Sequence, residues 1–298
     1  MVITVDRGRF TVRLDNHTTV YAIKARELGR KGIVTGDRVD VVGDLAGHAD
    51  SQARIVRRLE RTSNLRRTAD DADPVERVIV ANATQLGIVT STINPDPNIG
   101  FIDRALVAAA DAGVPALLII TKCDLHAPDD LISAYLGVAV TCITVTAKQP
   151  SPSLLQLLTG QRTVLIGPSG VGKSTLVNAL VPGADRGTGG VNTVTGKGRH
   201  TSTSAMALEL QTGGWIIDTP GIRSFGLAHV SAADLIGAFP ELALGTAQCP
   251  RACSHDEQEC ALDEWAAANA LADRLAGLRR LLRSMAEADR PHSADRNS

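Results

Sequence analysis

The chain has 298 residues, 44% of them hydrophobic, 21% charged and 3% aromatic, which excludes a disordered or fibrous protein and leaves room for two or three domains with their own cores. Its formal net charge of −1 is unevenly spread: residues 1–68 hold 14 Lys/Arg against 8 Asp/Glu, leaving 17 against 24 for the remainder. A neutral average hides a basic front.

The first ten residues, MVITVDRGRF, interrupt their apolar character with Asp6, Arg7 and Arg9, so they lack the apolar core of a signal peptide. The apolar run Val114–Ile120 is too short to cross a bilayer. A cytoplasmic protein without membrane contact is expected. The segments MVITVDRGRFTVRLD, TTVYAIKA, GIVTGDRVDVVG and ARIVRRLE cluster or alternate β-branched residues, with Gly36-Asp37 as a turn, and predict four or five strands with no convincing helix. A small barrel of the oligonucleotide-binding (OB) kind is the economical arrangement. Its exit, RRLERTSNLRR, places Arg57, Arg58, Arg61, Arg66 and Arg67 within eleven residues. Such a run is commonly a solvated face, but on a basic barrel it favours the phosphate backbone of RNA.

From about Asp70 the texture changes. The apolar runs VIVANATQLGIVTST, ALLIITKCDL and TVLIGPSG alternate with the helical stretches FIDRALVAAADAG, LISAYLG and GKSTLVNALV, a pattern that predicts a parallel sheet covered by helices, with ALEL and WIIDTPG as the last strand pair. Asn94-Pro95-Asp96-Pro97 reads as an unremarkable loop. Near Ser231, a candidate N-cap, a third segment begins. In it Leu271, Leu275, Leu278 and Leu282 recur at helical spacing as a core-facing seam, and the polar tail from Asp289 to Ser298 reads as disordered. The domains expected are 1–68, 69–230 and 231–298.

Gly167-Pro168-Ser169-Gly170-Val171-Gly172-Lys173-Ser174 fits GxxxxGK[ST] between an apolar strand and a helix. Backbone N–H groups of such a loop wrap phosphates, because glycines allow the dihedrals and the close approach. Lys173 reaches the terminal phosphates, Ser174 offers a hydroxyl to Mg²⁺, and Thr175 continues the helix whose positive end faces the anion. Downstream, Asp218 ends the strand WIIDTPG, where it can hold the metal's water shell, and the Gly221 N–H can sense a third phosphate. Between them GKGRHTSTS is glycine-bracketed and polar, and either Thr201 or Thr203 can complete the Mg²⁺ shell. Base recognition comes before the P-loop: in Thr121-Lys122-Cys123-Asp124 the Asp124 carboxylate can accept both N–H groups of guanine's edge while the Lys122 stem covers the ring. Val145-Thr146-Ala147-Lys148 can add a backbone contact to the base oxygen.

Five cysteines do not form a secreted scaffold, since Cys249, Cys253 and Cys260 crowd together while Cys123 and Cys142 stand alone. With His255 the cluster supplies three thiolates and one imidazole, the closed donor set of one structural Zn²⁺.

Base-reading motif first, P-loop and switches afterwards: this rotated order resembles the circularly permuted GTPases, and more narrowly the ribosome small subunit-dependent GTPase family known as RsgA or YjeQ. The resemblance spans the basic barrel, ERVIVANATQLGIV, FIDRALVAA, TKCDL, GPSGVGKSTLVNAL, GKGRHTSTS, IIDTPGIR and the cysteine cluster. It implies an N-terminal OB-fold RNA-binding domain, a permuted α/β P-loop GTPase domain and a C-terminal α-helical zinc-binding domain. It also implies hydrolysis of GTP to GDP and phosphate, stimulated by the small (30S) ribosomal subunit and its rRNA late in that subunit's maturation; a monomer is expected. Two departures stand out: Thr121 replaces the asparagine of NKxD, at an expected cost in packing behind the base, and the cysteine spacing is slightly shorter than the family's.

Ile222 occupies the position after DxxG where Ras-like enzymes use a water-orienting glutamine. His200, in the GRHTST run, is the best substitute, with a ring nitrogen able to accept a water proton; the resemblance supports that role, and a solvent-facing or RNA-contacting histidine is the alternative. Two other readings compete: an RNA-binding nucleotide switch with little intrinsic hydrolysis, and an ATP-dependent P-loop enzyme, against which TKCD argues. Residues Ile222–Leu227 would carry the phosphate state to the C-terminal segment.

Overall fold

The structure, a computed structural model, describes residues 1–29, 32–48, 52–70, 73–138, 140–146, 149–184, 205–219 and 230–288, with the backbone alone at 67–70, 73–76 and 287–288. Ala147, Lys148, His200, Thr201, Thr203, Gly221, Ile222–Leu227, the Arg67 side chain and the tail from Asp289 lie outside the described residues.

Five short strands open the chain: β1 (Val2–Asp6), β2 (Arg9–Arg13), β3 (Thr19–Lys24), β4 (Val39–Gly43) and β5 (Ala53–Arg58). They pair in the order β1-β2-β3-β5-β4, with β3 and β5 parallel. Val2 N–H donates to the Asp37 carbonyl and Gly36 N–H to the Val2 carbonyl, both at 2.8 Å, which joins β1 to the approach to β4 and closes the barrel. Period-two alternation turns Phe10, Val12, Val20, Ala22, Ala53 and Ile55 inward as one core. This is the five-stranded OB arrangement the sequence predicts.

A hairpin of β6 (Asn64–Asp70) and β7 (Asp73–Ala81) follows. The sequence reading missed it by taking VIVANATQLGIVTST as one strand. Asn82 breaks that run: it adopts φ +56°, its side-chain oxygen accepts from Thr62 N–H at 2.9 Å, and its amide donates to the Gly36 carbonyl at 3.0 Å. Residue 68, where composition changes, thus falls inside the hairpin.

The α/β unit comprises β8 (Gln85–Ser91), α1 (Ile99–Asp111), β9 (Ala116–Thr121), α2 (Asp129–Ser133), β10 (Val140–Thr144), α3 (Pro152–Leu158), β11 (Arg162–Ile166), α4 (Lys173–Leu180), β12 (Met206–Glu209) and β13 (Trp215–Asp218). Strand order is β10-β9-β8-β11-β13-β12, with all parallel except β12, which runs antiparallel to β13. Alternate residues face opposite sides: Leu117, Ile119 and Leu165 pack on Leu154, Leu158, Leu176 and Val177 of α3 and α4, while Leu118, Ile120 and Ile166 pack towards α1. β12 also pairs with β1 at Thr4 and Met206, so barrel and α/β unit share one sheet of eleven strands.

The remaining helices are α5 (Ala232–Gly237), α6 (Pro240–Ala243), α7 (Leu262–Ala268) and α8 (Ala272–Ala288). Ser231 caps α5 as predicted, completing a capping box with Asp234. The leucine seam is buried at Leu275, Leu278 and Leu282, in the same core as Phe101 and Leu106 of α1. Each such leucine contributes about 2 kcal/mol of apolar burial, so these helices are held to α1 by packing rather than by a tether. Close approach is built in: a Cβ at Gly277 would strike the Gly137 carbonyl, and one at Gly137 the Asp273 carbonyl.

Candidate functional site

All the parallel strands end on one edge of the sheet, where α/β proteins bind ligands. β11 delivers Gly167 to that edge beside β8, so closely that a Cβ there would run into the Val89 carbonyl. Gly170 and Gly172 take φ +86° and +89°, left-handed values that ordinary side chains disfavour, and Gly172 is the N-cap of α4. Pro168 and Ser169 lie between these glycines, Val171 is buried in the core beneath, and Ser174 and Thr175 occupy the first turn of α4. On the neighbouring strand β13, Asp218 Oδ1 stands 2.5 Å from Lys173 Nζ, with side chains only 5% and 12% exposed. Thr219 anchors the end of β13 by donating its hydroxyl to the Leu165 carbonyl at 2.8 Å. A buried ammonium, a carboxylate and a glycine-rich turn at a helix N-terminus together suit a phosphate with its counter-cation.

The Thr121–Asp124 turn, some fifty residues earlier, closes on the same loop. Thr121 is fully buried, its hydroxyl between the carbonyls of Val171 at 2.6 Å and Thr90 at 3.0 Å. Lys122 Nζ donates to the Gly170 carbonyl at 2.9 Å and also to the Asn94 carbonyl. Asp124 is exposed beside it, and Val145, after β10, is tied by its N–H to the Ile120 carbonyl at 2.8 Å. The loop of Asn94 to Pro97, read as unremarkable, is therefore part of the site: Asn94 holds the lysine and Pro95 packs against Gly170.

The second constellation is the cysteine cluster. The ligand atoms of Cys249, Cys253, His255 and Cys260 lie within 4.8 Å of one another, with Cys249 Sγ 3.5 Å from His255 Nδ1 and 3.8 Å from Cys260 Sγ. Ala252 and His255 both adopt left-handed φ, +59° and +64°, a local strain that brings the donors inward. Burial pushes the Cys249 thiol up to about 11, with Cys260 beside it adding to the effect, and burial lowers the His255 imidazole. Arg279 fixes the loop, donating to the His255 carbonyl at 2.9 Å while gripping Asp263 bidentately at 2.7 and 2.8 Å. This donor set fits one tetrahedral metal ion, with no open position left for chemistry.

The arginine run divides. Arg61 donates to both oxygens of the fully buried Asp37 at 2.7 and 2.8 Å, and is 11% exposed, so it staples the barrel together. Arg58 reaches the Gly32 carbonyl at 3.0 Å. Arg57 is 69% exposed in a pair with Asp40, and Arg66 is exposed. Sequence reading did not single out the barrel's outer face, where Tyr21 is 50% exposed and the β3 residue two further on, Ile23, pairs with Arg9 on β2 and Arg54 on β5. The usable signal was the alternation of TVYAIK, which leaves one aromatic outward between inward Val20 and Ala22.

Residues 58–228 match the model of the RsgA GTPase family. The chain is 38% identical over 270 residues to a small ribosomal subunit biogenesis GTPase RsgA of Pseudomonas aeruginosa, covering 86% of this chain and 77% of that one. It is 37% identical over 251 residues to the protein of that name in Gemmatimonas aurantiaca, covering 81% and 80%. Among solved structures it is similar to YjeQ from Thermotoga maritima, with TM-score 0.67 and 26% identity over 98% of both chains. YloQ, a circularly permuted GTPase, shares the fold at TM-score 0.67 and 21% identity over 98% and 96%. The family model covers more than half of the chain and the named relatives are matched over more than three quarters of their length: the chain belongs to the RsgA GTPase family.

Proposed function

We propose that this GTP hydrolase binds the small ribosomal subunit and acts in its late maturation, being slow alone and accelerated by the subunit. The relatives named above are small ribosomal subunit biogenesis GTPases, which supports the partner. The observation that supports the nucleotide reading is the convergence of Thr121 and Lys122 on Val171 and Gly170, which brings the Thr121–Asp124 turn against the glycine-rich loop.

In this reading Lys173 and the backbone of Gly167–Thr175 hold the phosphates, and Asp124 accepts from guanine N1–H and the 2-amino group. Ser174 and Asp218, with Thr201 or Thr203, would hold Mg²⁺, which neutralises phosphate charge. Gly221 senses the γ-phosphate and His200 positions the attacking water. The Cys3His cluster holds zinc. On the barrel, Arg57 and Arg58 contact RNA phosphates alongside Arg9 and Arg54, Arg66 and Arg67 of β6 add to them, and Tyr21 offers a stacking surface. Arg61 supports this surface from behind, since its guanidinium is committed to Asp37.

The test is GTP hydrolysis with and without 30S subunits, at two salt concentrations. We expect stimulation of at least about tenfold that weakens as salt rises, and its loss in His200→Ala with GTP binding retained. Equally low rates with and without subunits would favour the alternative of an RNA-binding nucleotide switch with little intrinsic hydrolysis. Full stimulation of His200→Ala would remove the histidine from catalysis.

A further inference from the structure

Lys122 carries a backbone strain that its own sequence does not explain. It adopts φ +59°, a left-handed conformation rare for residues other than glycine, asparagine and aspartate. The turn it begins is the one from which Asp124 projects, so whatever stabilises that conformation sets the aim of the carboxylate. Three donors converge on the Lys122 carbonyl: Leu125 N–H at 2.9 Å, His126 N–H at 3.3 Å, and the Thr92 hydroxyl at 2.9 Å. The first two belong to the turn itself. Thr92 comes from the end of β8, thirty residues earlier, and is the tertiary contact of the set.

Thr92 is well built for this. It is 8% exposed, and its own N–H donates to the Thr121 carbonyl at 3.1 Å, extending the β8–β9 pairing past the strand ends. Two residues on, the Asn94 carbonyl accepts from the Lys122 ammonium, so one short segment holds the lysine at both its backbone and its tip.

We propose that Thr92 is a positioning residue for guanine recognition: its hydroxyl fixes the Lys122 carbonyl and thereby the left-handed turn that points Asp124 at the base. This rests on the reading of Asp124 as the guanine acceptor. In that reading no nucleotide contact falls to Thr92, so its removal acts on base discrimination and leaves the phosphate end alone.

The experiment compares GTP with ITP, which lacks the 2-amino group, on the full chain and on Thr92→Val, Thr92→Ser and Asp124→Asn variants, with melting temperatures alongside. In Thr92→Val the KM for GTP rises about fivefold, the size of one lost neutral hydrogen bond, with kcat within about twofold and the preference for GTP over ITP reduced. Thr92→Ser restores both. Should the valine variant fail to fold, Thr92→Cys, with a weaker donor, gives the same comparison. An unchanged GTP/ITP ratio in Thr92→Val while Asp124→Asn loses its preference overturns the positioning role alone. A GTP preference retained in Asp124→Asn overturns the guanine reading and this inference with it. An equal loss for GTP and ITP makes Thr92 a purely structural residue and also overturns the inference.

Discussion

At the scale of single residues, the two constellations differ in how openly the sequence carries them. Cys249, Cys253, His255 and Cys260 are close along the chain, so their donor types and spacing are visible before any folding is known, and the structure brings their ligand atoms within 4.8 Å. Thr92 has no such signature. A threonine in a loop is chemically ordinary, and its contact with Lys122 exists only once β8 and β9 lie side by side. The cluster also yields a pH dependence. Burial, reinforced by the neighbouring thiol, holds Cys249 up at about 11 and raises Cys253 as well, so without metal these two thiols keep their protons at neutral pH. Metal binding must expel those protons, and the metal therefore competes worse as pH falls. We expect about one equivalent of zinc in purified protein, and faster stripping by a chelator at about pH 6 than at about pH 8, with a lowered melting temperature once the zinc is gone. Zinc-free protein with unchanged stability, or stripping that ignores pH, would contradict this.

At the scale of elements, periodicity located the buried strands and the leucine seam, and misjudged where runs end. β7 and β8 were read as one strand because only Asn82, Thr84 and Gln85 are polar between the apolar run ending at Ala81 and the one beginning at Leu86, and the turn at Asn82 depends on contacts with Thr62 and Gly36 that lie far away in sequence. Similarly, α7 and α8 separate at Ala270, where φ is +56° and the one local sign of a break is Asn269, the C-cap of α7. The docking of α8 rests on a contact no pattern could reveal. Arg280 Nε lies 3.2 Å from Asp103 Oδ2 on α1, its guanidinium stacks 4.3 Å from the Tyr135 ring centre, and Tyr135 donates its hydroxyl to Asp103 Oδ1 at 3.0 Å. Burial raises the Asp103 carboxyl above its ordinary range, and Arg280 opposes that shift. Arg280→Ala therefore leaves a carboxylate that is 4% exposed without its cation. The expected cost near neutral pH is about 2–3 kcal/mol, below that of a fully buried pair because Arg280 is partly exposed. The sign with pH follows from the raised carboxyl. The penalty applies only while Asp103 is ionised, so it shrinks as pH falls through the carboxyl's elevated titration in the folded state. Urea denaturation of both proteins at about pH 7 and about pH 5 measures this, and an equal deficit at the two values would refute it.

At the scale of the whole molecule, the three segments seen in the sequence are less separable than their compositions suggest. The C-terminal helices share a core with α1, and the barrel shares a sheet with the α/β unit through β1 and β12. That seam is reinforced by Arg13 on Glu209 at 2.7 Å and by the Thr35 hydroxyl on the Ala205 carbonyl at 2.8 Å. No local signal could show it, because Thr4 and Met206 stand about two hundred residues apart. The seam has a bearing on solubility. β12 is the outermost strand of the α/β unit, and β1 lies against its outer edge, paired at Thr4 and Met206. A fragment starting at Asn64 would leave that edge uncovered, and an open strand edge recruits other strands. Such a fragment is expected to self-associate as its concentration rises, by analytical ultracentrifugation, while the full chain does not; a monodisperse monomeric fragment would refute this. The barrel is in this sense a permanent edge cover. A relative that shed it would need another guard against aggregation: a shorter β12, charges along its rim, or a second copy of itself.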